Sequence, residues 1–534
     1  MVTGQLPFTA SEPMEWVHCH VARRPVPPSE RERELPGVIS AIVMKLLAKN
    51  AEERYQTAAG LEADLRRALI ESEKYGRIAE FPLGTRDVPD RLVIPERPYG
   101  REREIAALTS AFDRVVAGAG PTLVLVSGHA GVGKSMVVNE LHRALVPPRG
   151  LFASGKFDQN QRHIPYASVA QALQGLLRVL LGKSDAELAP WRAAFSEELG
   201  ASGRLLVTLI PELESLIGQL PAVTDLPPQD AKRRFQLNIR RLLRVFATAA
   251  HPLTLFLDDL QWLDAATLDL LEDLCTQQDM RHLLLIGAYR DNEVSSTHPL
   301  IRRLTAIREA GGQVHEIELT PLRLEDLTRM LADALHCGRK RAQPLARLVH
   351  KKSGGNPFFA LQFLSTLPDE GLLEFNREQT HWVWDLDRIR AKGYTDNVVD
   401  LMLSKLRRLP DTTQAALNML ACLGNHAAVD TLALIRSENH DAVHAAFWAA
   451  ARAGLVLREE GSSYRFLHDR VQEAAYGLIP EDERAAAHLS IGRLLLMHTP
   501  PQALDENIFE IVGQLNSGGA LIAPGERARA SRRL

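Results

Sequence analysis

Along the chain, short apolar runs alternate with longer amphipathic stretches from about Tyr99 to Leu319. The runs are TLVLVSG at 122–128, LTLFLDD at 253–259, LLLIGAYR at 283–290 and VHEIEL at 314–319. Each carries apolar residues on both faces of the predicted strand, which suits buried strands, and helical stretches separate them. That pattern predicts a parallel sheet covered by helices. Before it, Leu35–Leu47 and Ala58–Ile70 are apolar at helical spacing, and residues 1–75 read as helices. Between them and the strands, Pro82, Gly84, Pro89, Pro95 and Pro98 punctuate a charged stretch that suits an extended connector. After Pro321 helices take over. Leu455–Arg458 and Tyr464–Phe466 flank a polar turn and predict a hairpin.

Composition narrows the class. At 534 residues the chain is long enough for about three or four domains. Lys plus Arg is 63 and Asp plus Glu is 66, a net charge of −3, which gives no basic excess for general nucleic-acid binding. The four cysteines (Cys19, Cys275, Cys337, Cys422) form no CxxC pair and read as reduced thiols. No apolar run approaches the ~18 residues of a membrane helix. A cytoplasmic protein is expected.

The chemistry starts at Gly128-His-Ala-Gly131-Val-Gly133-Lys134-Ser135, which fits GxxxxGK[ST] between the predicted strand Leu123–Val126 and a helix at Met136–Leu145. The glycines let the backbone wrap a phosphate, Lys134 would neutralise β- and γ-phosphate oxygens, and the Ser135 hydroxyl would ligate Mg²⁺. Asp258 and Asp259 close a buried strand. Asp258 would hold the metal through water and Asp259 would act as general base; read alone, the pair also fits a helix cap. Arg290 ends the next strand and would sense the γ-phosphate, against the alternative of a solvated strand-end arginine.

Several further strings resemble the Orc1-like AAA ATPase module of STAND-type signalling NTPases. They are Pro98-Tyr99-Gly100-Arg101-Glu102, LDDLQWLD at 257–264, Ser353-Gly-Gly-Asn-Pro357, and Phe466-Leu-His468-Asp469 through Tyr476. The resemblance implies that Tyr99, Gly100 and Arg101 help hold the base, that Pro357 lies against adenine, and that His468 reaches the β-phosphate of ADP. It implies ATP and Mg²⁺ as ligands, slow turnover, and assembly when ATP-bound.

The connector, together with GKFDQNQRHIPYASVAQAL at 155–173, looks like large bacterial proteins that join a serine/threonine kinase, an ATPase module and a sensor histidine kinase. Thr3–Phe8 and Leu46–Thr57 resemble parts of a protein kinase C-lobe. No Gly-rich kinase loop, strand lysine, HRD or DFG segment accompanies them, so phosphotransfer by this chain is not expected. The expected chain is an internal fragment of a longer protein or a gene model with displaced ends.

The resulting expectation is a P-loop NTPase α/β core, followed by a helical lid and a winged-helix-like domain and preceded by an all-α partial kinase C-lobe. The divisions are 1–75 for the partial C-lobe, 76–98 for a linker and 99–322 for the ATPase core. They continue with 323–395 for the lid, 396–485 for the winged-helix-like domain and 486–534 for the start of a TPR-like helical region. The function expected is a nucleotide-dependent switch whose partners are ATP or ADP and signalling proteins or linked kinase domains, with no membrane. One alternative is a DNA-binding regulator, against which the Glu-Glu-Gly hairpin turn argues; the basic run Arg527, Arg529, Arg532 and Arg533 reads as a solvated tail. Another is a scaffold that binds nucleotide without hydrolysing it, since Asp259 stands where a glutamate is usual.

Overall fold

A computed structural model describes residues 2–9, 16, 19, 23–49, 53–157, 165–218, 228–277, 280–376, 379–391, 398–459, 462–500 and 504–521. Part of the 155–173 string, part of the 459–463 turn and the C-terminal arginines lie outside the described residues. The chain divides into two compact units: Met1–Tyr99 with Arg323–Gly355 and Ala360–Gly393, and Gly100–Leu322 with Asn356–Phe359 and Tyr394–Leu534.

In the first unit the helical spacing is realised as helices Gly37–Leu46 and Ala58–Tyr75. Thr57 caps the second, its hydroxyl accepting from the Gly60 N–H at 2.9 Å. The connector is extended, and it is tied to that helix. Asp87 accepts from the Gln56 and Thr57 N–H groups, both at 2.8 Å, and the Gly84 N–H donates to Asp64 at 2.6 Å. A buried carboxylate beside a helix N-terminus is favoured by the unpaired amides and the helix dipole there. The helices Leu324–Ala334 and Arg339–Ser353 pack against each other, and an antiparallel hairpin, β6 (Leu373–Asn376) and β7 (His381–Trp384), follows. That hairpin departs from the expectation of helices alone.

The second unit carries a five-stranded parallel sheet: β1 Thr122–Ser127, β2 Leu151–Lys156, β3 Leu253–Asp258, β4 Leu283–Tyr289 and β5 Gln313–Glu318. The order is β2-β3-β4-β1-β5. Successive residues of one strand enter opposite cores, as the two-residue period requires. Leu123 and Leu125 join Leu173, Leu177, Phe195 and Phe246 on one face, while Val124 and Val126 join Leu108, Phe112, Val138 and Leu141 on the other. This is the P-loop NTPase fold. Four of its strands fall on the apolar runs, but β5 is not buried on both faces as expected: it is an edge strand in which only Ile317 is buried. β2, the other edge strand, matches no run, because Leu-Phe-Ala-Ser-Gly-Lys is buried at only some of its positions.

Further along, β9 (Val456–Glu459) and β10 (Ser463–Phe466) form the expected hairpin, with β8 (His426–Ala428) added on the other edge of β10. Helices Asp411–Leu423, Val429–Arg436, His440–Arg452 and Asp469–Gly477 surround it. Among the described residues no helix is long and apolar enough to cross a membrane.

Candidate nucleotide site

The carboxyl ends of β1, β3 and β4 bring the candidate residues together. The loop Gly128–Gly133 links β1 to the helix Lys134–Arg149. Its glycines have φ of +146°, +79° and +100° at 128, 131 and 133, values that side-chain-bearing residues rarely adopt. Space imposes a second requirement. A Cβ on Gly128 would stand 2.6 Å from the Leu319 carbonyl oxygen, and one on Gly131 would stand 2.9 Å from both Asn356 Oδ1 and Phe358 Cβ. The segment 356–358 is hydrogen-bonded to the loop: Asn356 Nδ2 donates to the Ala130 carbonyl at 2.8 Å, and the Phe358 N–H to that of Gly131 at 3.3 Å. Pro357 sits in this segment as the first residue of helix Pro357–Asp369, where a missing N–H costs nothing.

Lys134 is buried, and its ammonium donates to the carbonyls of Gly128 at 2.8 Å and His129 at 3.1 Å. Burial lowers its pKa, against the pull of Asp258 and Asp259. The Ser135 hydroxyl donates to Asp258 at 2.7 Å. Burial, then the neighbouring Asp259 charge, raise the Asp258 pKa. A hydroxyl and a carboxylate side by side are hard oxygen donors, and a carboxylate strained by burial and like charge is relieved by a cation. The pair therefore fits Mg²⁺, which takes few protein ligands and completes its shell with water and phosphate oxygens.

Asp259 lies in the left-handed region, φ 58°, and is 4% exposed. Gln261 holds it, Nε2 donating to Oδ1 at 2.8 Å, while Gln261 Oε1 accepts from the Arg290 N–H. Lys156 Nζ is 3.2 Å from Asp259 Oδ2 and Arg290 Nε 3.5 Å from Oδ1. Arg290 is 3% exposed, stacks over Trp262, and donates to Glu293 at 2.8 Å and to Asp469. It is thus a buried arginine in an ion cluster and not a solvated strand end.

His468 and Asp469 start the helix 469–477. His468 stacks on Phe358, ring centroids 4.0 Å apart, and its Nδ1 accepts from the Arg470 N–H at 3.1 Å. Burial pushes its pKa down to about 4. An unfolded imidazole takes its proton near 6.5, so the folded state's advantage is full above that pH and is lost as pH falls toward 4. Urea unfolding of the wild type is expected to show about 2 kcal/mol less stability at pH 5 than at pH 7 from this group. The difference should vanish in His468→Asn, which keeps a helix cap. Burial raises the Asp469 carboxyl, but Lys156, His468 and Arg290 outweigh it and hold it at about 2.

Tyr99, Gly100 and Arg101 fall elsewhere in the bonding pattern. Within the first unit the Tyr99 hydroxyl donates to Asp333 at 2.8 Å. Gly100 has φ +66°. Arg101 is buried and donates to the carbonyls of Val132 at 3.1 Å and Thr320 at 2.7 Å, fixing the loop from behind. Lys156 and Gln261 stood inside matching strings, but a lysine and a glutamine there had no role attached. Asp469 stood inside a matching string with no role attached.

The AAA ATPase domain family model matches residues 97–286. The chain is 27% identical to hybrid signal transduction histidine kinase G of Dictyostelium discoideum, over 98% of this chain and 19% of that protein. It is 23% identical to histidine protein kinase 1 of Candida albicans, over 65% of this chain and 16% of that one. A 65-residue stretch, 12% of this chain, is 48% identical to serine/threonine-protein kinase PknB of Mycobacterium tuberculosis, covering 10% of it. A STAND protein with a tetratricopeptide repeat sensor from Pyrococcus horikoshii aligns over 81% of this chain and 49% of its own, with 13% identity and a TM-score of 0.44. The chain spans about a fifth of the length of the histidine kinases it matches, 19% and 16%. Residues 97–286 carry an AAA ATPase domain, in a chain similar to signal-transduction histidine kinases.

Proposed function

We propose that this chain is the nucleotide-dependent switch of a larger signalling kinase. The observation that carries the reading is the burial of Arg290, at the end of β4, against Asp469 at the start of helix 469–477. A cation at the carboxyl edge of the sheet, beside the P-loop, is there neutralised by a side chain of another element. A γ-phosphate would compete for it. A ligand that discriminates between two states in this way can shift their balance, and a shift from 1:99 to 99:1 needs about 10⁴-fold discrimination.

In this reading the loop 128–133 and the helix start receive the phosphates, and Lys134 turns from its own loop carbonyls to their oxygens. Ser135 and Asp258 hold Mg²⁺, which when bound neutralises charge on the phosphates. Asp259 orients and deprotonates the water that attacks the γ-phosphorus, and ADP leaves with the displaced oxygen. The neutral His468, seated on Phe358, offers its Nε2 proton to the β-phosphate. Pro357 borders the base. Arg101 ties the loop through the Val132 carbonyl. The domain divisions given above and the partners, a linked kinase domain and an ATP-driven assembly, belong to the same proposal.

Binding without hydrolysis is the second reading, favoured by the engagement of Asp259 with Lys156, Arg290 and Gln261. One experiment separates the two. Purified chain is denatured, the released nucleotide is identified, and phosphate release from added Mg-ATP is then followed. About one ADP per chain with slow, Mg²⁺-dependent release supports the hydrolysing switch. Bound nucleotide with no release, unchanged in Asp259→Asn, supports the second reading, and an empty chain with no affinity for Mg-ATP contradicts both.

A further inference from the structure

The switch reading uses Arg290 and leaves Lys156 without a role. Lys156 closes β2, where its Cα pairs with Asp258 of β3. Its side chain, 34% exposed, places Nζ 2.8 Å from Asp469 Oδ1 and 3.2 Å from Asp259 Oδ2. Arg290 approaches the other oxygen of each carboxylate, Oδ2 of Asp469 and Oδ1 of Asp259. Two cations and two anions thus form a closed ring, in which each carboxylate divides its oxygens between the same two partners. Three of the four charges belong to the sheet end. The fourth, Asp469, belongs to helix 469–477. Its withdrawal, together with Glu473 of the same helix, would leave Lys156 and Arg290 facing Asp259, with Glu293 still on Arg290, and would remove negative charge beside the P-loop.

We propose that Lys156 is a positioning residue that, together with Arg290, forms a two-cation seat for Asp469, so that unseating helix 469–477 and leaving Asp259 as the carboxylate shared by both cations are a single event. The functional meaning of this coupling rests on the switch reading above; the seat itself does not. The net charge explains why both cations are needed. One cation could neutralise Asp259, but it would leave the buried Asp469 half-paired, and a buried carboxylate without full hydrogen bonding is costly. Burial would depress the Lys156 ammonium, but Asp469, Asp259 and Asp258 outweigh that effect and raise its pKa, so the ring stays charged at neutral pH.

The test is amide hydrogen exchange of helix 469–477 in the full chain without added nucleotide. One charge-assisted hydrogen bond lost in Lys156→Met should raise exchange of that helix by about 10-fold or more. Lys156→Arg should hold it near the wild-type rate, because it keeps the charge. In the Asp469→Asn background, Lys156→Met should add little, since its partner is already gone. Unchanged exchange in Lys156→Met overturns the proposal. So does an effect that persists in full in the Asp469→Asn background, which would mark Lys156 as a strand-end residue of structural weight only. The readout needs no ligand, so a chain that fails to bind nucleotide would defeat the switch reading and leave this test standing.

Discussion

Asp469→Asn is expected to lower the stability of the seated helix 469–477 by about 3 kcal/mol and to speed ADP release about 10²-fold. Arg290 is 3% exposed and gives one guanidinium nitrogen to Asp469, another to Glu293 at 2.8 Å, and Nε to Asp259 at 3.5 Å. Removing one partner of a buried pair leaves an uncompensated charge, at a typical cost of about 3–5 kcal/mol. The lower end applies, because Arg290 keeps two carboxylates and Lys156 is partly exposed to water. The neutral amide preserves shape and isolates the charge. Stopped-flow release of a fluorescent ADP analogue measures the rate, and a rate equal to that of the wild type would mean the ion cluster has no part in holding nucleotide.

Asp258→Asn is expected to act in opposite directions on stability and on function. The Asp258 carboxyl is held above its usual range by burial and by Asp259 beside it, so replacing it with an amide removes a repulsion. Stability should stay level or rise. Mg²⁺-dependent phosphate release should fall by about 10²–10³-fold, because the metal loses the carboxylate that would hold it through water, and metal stabilisation of the transition state is worth several kcal/mol. Thermal unfolding and phosphate release on the same preparation check both signs. A variant that folds as well as the wild type and releases phosphate at the wild-type rate would contradict the assignment of Asp258 to the metal.

How much of this was legible depended on whether a residue declares its neighbours locally. The P-loop did, because strand, glycines, lysine and hydroxyl lie in one short stretch. Asp258 and Asp259 did, because they end a strand apolar on both faces. The fold class followed from those runs. Strand β2 escaped because its edge position relaxes the burial pattern, and β8 because three residues carry no period. The ion cluster could not be read, since Arg290 and Asp469 are 179 residues apart and Lys156 and Asp469 are 313 apart. Pairings at that separation are made by the tertiary fold. The same is true of Arg101, whose partners are the backbone carbonyls of Val132 and Thr320, groups present in every residue and marked by none.

In the proposed switch the nucleotide's γ-phosphate and Asp469 compete for the same cations. Amide hydrogen exchange of helix 469–477 measures this most directly, in the full chain with saturating ADP and with a non-hydrolysable ATP analogue and Mg²⁺. Faster exchange of that helix with the ATP analogue than with ADP, and the fast rate with either nucleotide in Asp469→Asn, is the expected result. Equal protection in both nucleotide states of the wild type, with nucleotide shown to be bound, would contradict it.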